Sequence, residues 1–269
     1  MLAKLLRIVA ASFAFCAVIG FVPADARAEE DPWSEIRQSL FASRKIVEDS
    51  SVKIFAPKRA EDAALVPVRV FIGAERVLNA RRLFLVVDQN PAPVAAVFHF
   101  GDLYRTGGDV GDRSLEARVR LENMSRVRAV LETADGALYE ASQFVAGAGG
   151  CTSSSLKDMD EAMRGLGKIR LMVEADPTRG NLWHEAQVQI RHPNFSGMQI
   201  DTKTNTYTPA EFVDRIEVAV GTEHLVTIES GIAISEDPNF RLAFAKQDPP
   251  ALTLVARDTK SRKFRAQSQ

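Results

Sequence analysis

The sequence predicts an all-β protein built as two antiparallel sandwiches in tandem, and three observations carry that prediction. Apolar residues alternate at every second position through most of the chain after Ser51. Turn signals separate the alternating runs at short intervals. One glycine-rich stretch near the middle divides the chain into two halves that share the same strand grammar.

The elements follow in order. Met1 to Arg7 carries Lys4 and Arg7 and no acid, Ile8 to Val22 is almost wholly apolar, and Ala24, Ala26 and Ala28 place small residues at alternate positions. This is the layout of a secretory signal over residues 1–28, cut after Ala28, which predicts an exported, periplasmic protein. The apolar run is shorter than the ~20 residues a membrane span requires, and no later segment is apolar enough to supply one. Phe15 stands before Cys16, where a lipid-anchored cysteine calls for a small residue.

Residues 29–146 form the first predicted domain. Trp33, Ile36, Leu40 and Phe41 recur at helical spacing and predict a short amphipathic helix over Pro32–Val47. Val66, Val68, Val70 and Ile72 then alternate with Pro67, Arg69 and Phe71. Leu115 to Leu121, Val127 to Leu131 and Ala137 to Val145 are strands of the same kind, the last following an Asp135-Gly136 turn. Asn90 to Pro93 reads as a break and Tyr104 to Arg113 as a loop. Residues 147–167 are a linker, with a helix-like piece over Leu156–Leu166. Residues 168–269 repeat the pattern with strands around Leu171, Val188, Val218, Val226 and Leu254.

Charge excludes one class of partner. The 34 basic and 35 acidic residues are interspersed, with no basic block to neutralise nucleic-acid phosphates.

Cysteine carries the functional signal. Of the two cysteines, Cys16 leaves with the signal, so the exported chain keeps one thiol, Cys151, in an oxidising compartment. A lone exported thiol is a reactive group or an intermolecular partner, and a disulfide-linked dimer is open to it. Around it stand Gly147, Gly149 and Gly150 on one side and a threonine and three serines on the other, with nothing bulky to bury a sulfur. These neighbours predict a flexible arm presenting an exposed thiol. No adjacent Lys or His lowers its pKa, so the reading is accessibility without activation. An autonomous cysteine enzyme would need a base held in fixed geometry, which a glycine run does not provide; no catalytic residue is assigned. His99, His184, His192 and His224 lie in or beside strands without metal-ligand spacing, and His192 before Pro193 reads as structural. Neither a metal nor another cofactor is expected.

Several of these segments resemble a known family. Val87-Asp88-Gln89-Asn90-Pro91-Ala92-Pro93, Val97-Phe98-His99-Phe100-Gly101, the Asp135-Gly136 turn and the Gly149-Gly150-Cys151 ending resemble SoxY, the sulfur-carrying subunit of the SoxYZ complex of bacterial thiosulfate oxidation. Ile190-Arg191-His192-Pro193, the strand from Asp214 to Gly221 and Gly231 to Ser235 with Asp237-Pro238 resemble SoxZ. The resemblance implies two immunoglobulin-like β-sandwich domains joined by the Gly-rich, Cys-bearing linker. It makes Cys151 the covalent attachment point and Gly147, Gly149 and Gly150 the arm. It further implies that the protein is a carrier rather than an enzyme, with periplasmic redox enzymes of the Sox type as partners. The chain departs from that pattern where Thr152 follows the cysteine and the chain runs on, so the arm is tethered at both ends. Such fused chains also resemble carriers associated with periplasmic quinoprotein (PQQ) alcohol dehydrogenases. The alternative is therefore a non-catalytic accessory protein of that system.

Overall fold

A computed structural model describes residues 31–153, 159–201, 203–249 and 251–268. The expected signal, residues 1–28, lies outside the described residues, as does the linker stretch 154–158.

Strand formation follows the alternation. In the first half the strands are β1 (Ile46–Glu48), β2 (Val52–Phe55), β3 (Val66–Ile72), β4 (Ala80–Val87), β5 (Val94–Phe100), β6 (Arg113–Val119), β7 (Ser125–Thr133) and β8 (Leu138–Val145). In the second half they are β9 (Ile169–Ala175), β10 (Trp183–Ile190), β11 (Ile200–Asp201), β12 (Thr206–Tyr207), β13 (Val213–Val220), β14 (Glu223–Ser230), β15 (Asn239–Ala245), β16 (Leu252–Asp258) and β17 (Lys263–Gln267). In β3, Val66, Val68, Val70 and Ile72 are all buried while Pro67 and Arg69 face solvent, the period of two that the sequence shows.

The two halves share both sheets. One sheet has nine strands in the order β1-β8-β7-β4-β5-β14-β13-β16-β17, and the facing sheet has six in the order β2-β3-β6-β15-β10-β9. The junction is a backbone ladder in each layer. β5 pairs antiparallel with β14, Phe98 opposite Ile228, and β6 pairs antiparallel with β15, Ala117 opposite Phe240. Between the layers, the Phe98 ring meets the Phe240 ring edge-on at 5.9 Å, joining opposite sheets and opposite halves in one contact. The main apolar core is continuous across both halves, from Val52 through Phe98 and Phe240 to Leu254.

Among the described residues, four short helices decorate this frame: α1 (Pro32–Phe41), α2 (Ala74–Val77), α3 (Asp102–Arg105) and α4 (Met159–Met163). The expected N-terminal helix ends at Phe41 rather than Val47. Ala42 takes a left-handed φ of 52°, and Ile46–Glu48 pairs in parallel with β8 instead. α1 buries Trp33 and Phe41 against Phe84, Val86, Val130 and Leu138, outside the main core. The stretch read as a loop from Tyr104 begins inside α3, because Tyr104 is buried and stacks on Phe100 at 4.2 Å.

Candidate functional site

The Cys151 segment is docked, which corrects the expectation of an exposed thiol on a flexible arm. Cys151 is 1% exposed, and its backbone is hydrogen-bonded on both sides. Gly149 N donates to Glu122 O and Gly150 N to Leu121 O, each at 2.8 Å. The Glu122 carboxylate then caps the turn. Its Oε2 accepts from Cys151 N at 2.9 Å and Thr152 N at 3.1 Å, and its Oε1 accepts from Thr152 Oγ1 at 3.1 Å. Bonds to a charged acceptor are the stronger kind. From the second half, Ser196 Oγ donates to Cys151 O, and Gln199 Nε2 donates to Ser153 O at 3.2 Å.

The glycines serve close approach. A Cβ on Gly150 would stand 2.1 Å from Ala63 O and 2.8 Å from Leu121 O, so only glycine lets the arm lie against those carbonyls. Gly149 adopts φ 79°, the left-handed turn that carries the chain into Cys151. Gly147 lies beside Ala60, where a Cβ would be in tight contact at 3.0 Å. The bulk that buries the sulfur thus comes from segments remote in sequence.

Asn90 holds the segment against which the arm docks. Its Nδ2 donates to Arg120 O at 2.7 Å and its Oδ1 accepts from Glu122 N at 2.8 Å, bracketing the segment that receives the arm. Next to it, Asp88 takes Arg128 Nε on both oxygens, at 2.9 and 2.8 Å, and the Trp33 ring of α1 lies 4.4 Å from that guanidinium.

Arg120 is the buried cation of the site, 2% exposed. Its Nη1 donates to Asn194 O at 2.7 Å, Ile234 O at 2.8 Å and Ile232 O at 3.2 Å, all in the second half. Its Nε has no hydrogen-bond partner among the described residues. Burial lowers the Arg120 pKa, opposed by the charges of Cys151 and Glu236. The thiol's own pKa is pushed up to about 11, first by burial and then by Glu122, with Arg120 pulling the other way. The docked thiol is therefore protonated at neutral pH and a poor nucleophile.

His192 is fully buried. Its Nδ1 accepts from Asn194 N at 3.0 Å, and its Nε2 lies 3.5 Å from Asp258, whose carboxylate Arg262 Nε also holds at 2.6 Å. Asn194 continues the network by accepting from Val213 N at 3.1 Å. The Ile190–Pro193 motif thereby positions Asn194, and with it the carbonyl that Arg120 grips. His99, His184 and His224 stand in or beside strands away from this network.

Residues 37–151 match the family "Sulfur oxidation protein SoxY", and residues 171–269 match "Sulphur oxidation protein SoxZ". The chain belongs to the SoxYZ family. It carries both parts in one polypeptide, and the SoxY match ends on Cys151 itself. A solved structure titled as the sulfur carrier protein SoxY from Chlorobium limicola f thiosulfatophilum is 26% identical, covering 43% of this chain and 94% of its own, with a TM-score of 0.33. A beta-glycosidase from Bacteroides vulgatus is 10% identical, covering 86% of this chain and 26% of its own, at a TM-score of 0.25. Both TM-scores are low, and the assignment rests on the two family matches. Comparison with curated proteins gives no match.

In this fused SoxYZ-like chain the SoxY part supplies Cys151, Arg120, Glu122 and Asn90, and the SoxZ part supplies Asn194, Ser196 and Gln199. Sequence reading isolates the cysteine and its glycines but misses the residues that enclose them. Asn90 and the His192-Pro193 pair stood inside recognisable motifs. Arg120, Glu122, Ser196 and Gln199 carried no local signal of their own. Among the described residues, no helix is long and apolar enough to cross a membrane.

Proposed function

We propose that this protein is a periplasmic carrier that holds a sulfur intermediate covalently on Cys151 and presents it to partner redox enzymes, without turning it over itself. One observation carries the reading: the SoxY match ends on Cys151, and that residue sits where the two halves meet, within electrostatic reach of the buried Arg120. A carrier of sulfur intermediates must tolerate anionic adducts, and Arg120 is the cation within electrostatic reach of the sulfur. The docked thiol, with its raised pKa, is the resting form. Loading requires Glu122 to release the turn, so that the sulfur reaches water and ionises. Gly147, Gly149 and Gly150 then act as the arm. The adduct on Cys151 is the working group and needs no other cofactor.

A second reading has an observation on its side. A buried, protonated thiol suits an accessory protein of a quinoprotein alcohol dehydrogenase system that works through surface contacts. Intact-mass spectrometry of protein taken from its own periplasm, before and after reductant, separates the two. The carrier reading expects a reductant-sensitive increment on Cys151 that is lost in Cys151→Ser, together with loss of function. An unmodified thiol in cells using the pathway, with Cys151→Ser fully functional, would establish the accessory role instead.

A further inference from the structure

A second concave site lies in the SoxZ-like half. A cleft of about 520 Å³ opens between α4, the turn that follows it, β9 and the end of β10. Arg164, Lys168, Arg170 and Arg191 line it, against two acids, Glu161 and Asp237. Asp237 is already committed: its Oδ2 pairs with Arg191, and its Oδ1 accepts from His192 N at 3.1 Å. Arg170 has only a weak bond from Nε to Met172 Sδ, at 3.3 Å. Among the described residues no carboxylate is paired with Arg164, Lys168 or Arg170. Several arginines on other strand faces are matched with acids, as in Arg69–Glu116, Arg241–Glu185 and Arg257–Asp214. Gathering unmatched cations in one concavity is electrostatically costly unless an anion fills it.

The backbone under these cations is pinned. Gly167 N donates to Arg191 O, and Arg191 N donates to Lys168 O, both at 2.8 Å, clamping the turn onto the exit of β10. Gly167 has φ 79° and lies against the Phe264 ring, where a Cβ would come within 2.3 Å. The anchor points of Lys168 and Arg191 are thus set before any ligand arrives.

We propose that this cleft binds a divalent tetrahedral oxyanion of the sulfate type. Guanidinium forks match the oxygens of such an ion in paired hydrogen bonds, and Lys168 adds a point charge. The four cations line a single concavity, which favours a compact anion over an extended acidic surface. The volume admits the ion with bridging water, at ~30 Å³ per water. The site is separate from Cys151 and stands whether or not the thiol carries cargo.

The test is an NMR titration of the full mature chain with sodium sulfate, against sodium chloride at matched ionic strength. The expected result is saturable shifts confined to the amides of residues 165–170 and 191. Affinity should fall at least tenfold in Arg164→Gln/Arg170→Gln and stay unchanged in Cys151→Ser. Lys53→Gln/Arg81→Gln removes the same charge from exposed positions in the other half and should bind as the parent does. Non-saturating shifts, equal shifts with chloride, binding that survives the Arg164/Arg170 change, or binding lost in Cys151→Ser would each overturn the proposal.

Discussion

At the scale of single residues, Glu122 and Cys151 set the chemistry. Glu122 holds the Cys151 turn through two backbone N–H groups and one hydroxyl. Its charge also works with burial to hold the thiol in the neutral form. Hydrogen bonds to a charged partner contribute about 1.5–3 kcal/mol each, so Glu122→Ala should favour the undocked turn by at least ~tenfold. Alkylation of Cys151 by iodoacetamide reads this directly. The parent should react slowly at neutral pH, its rate climbing toward pH 11, and Glu122→Ala should react at least ~tenfold faster with its rise shifted to lower pH. Equal rates and profiles would mean that Glu122 does not latch the turn.

At the scale of elements, the end of β16 and the segment after β10 are held by buried, titratable groups. Burial lowers the His192 pKa below its usual 6.5, with Asp258 opposing. The unfolded chain therefore takes up this proton more readily than the fold does. Its contribution to stability is present above pH 6.5 and lost as pH falls through that value. Asp258 acts in the same direction lower down. Hydrogen bonds and the Arg262 charge overcome the effect of burial and hold its pKa below 3.8, so its contribution is present above that value and lost as pH falls further. Melting temperature should thus decline from pH 7 to pH 5 in the parent, and the decline should flatten in His192→Gln. A parent profile that is flat across this window would show that His192 protonates without cost.

At the scale of the whole molecule, the shared sheets make the halves interdependent. Separating them would expose the β5 and β6 edges on one side, the β14 and β15 edges on the other, and the core between. Calorimetry should show one cooperative transition for Pro32–Gln269, and two independent transitions would refute the coupling. Arg120 spans the junction, so Arg120→Met should lower stability by about 1–3 kcal/mol for each buried acceptor it leaves unsatisfied. It leaves the carbonyls of Asn194 and Ile234 without their donor. The loss should appear as a downward shift of that single transition, with no second one emerging.

The β-strands with one wet face were legible because their side chains alternate, as in β3 and β6. β4 lacked that signal. Its last five residues are all buried, Phe84 and Val86 beneath α1 on one face and Leu83, Leu85 and Val87 in the main core on the other. A strand covered on both faces has no polar residue to mark its period. By itself the sequence determined the all-β class, the repeat of strand grammar and the single thiol behind its glycines, because each is a property of neighbours along the chain. The tertiary structure alone decided that the sheets are continuous, that Glu122 and Ser196 grip the Cys151 turn, and that Arg120 lies within electrostatic reach of the sulfur. Burial and charge at Cys151 are set by groups 29 and 45 residues away in the chain, and no local pattern encodes distances of that kind.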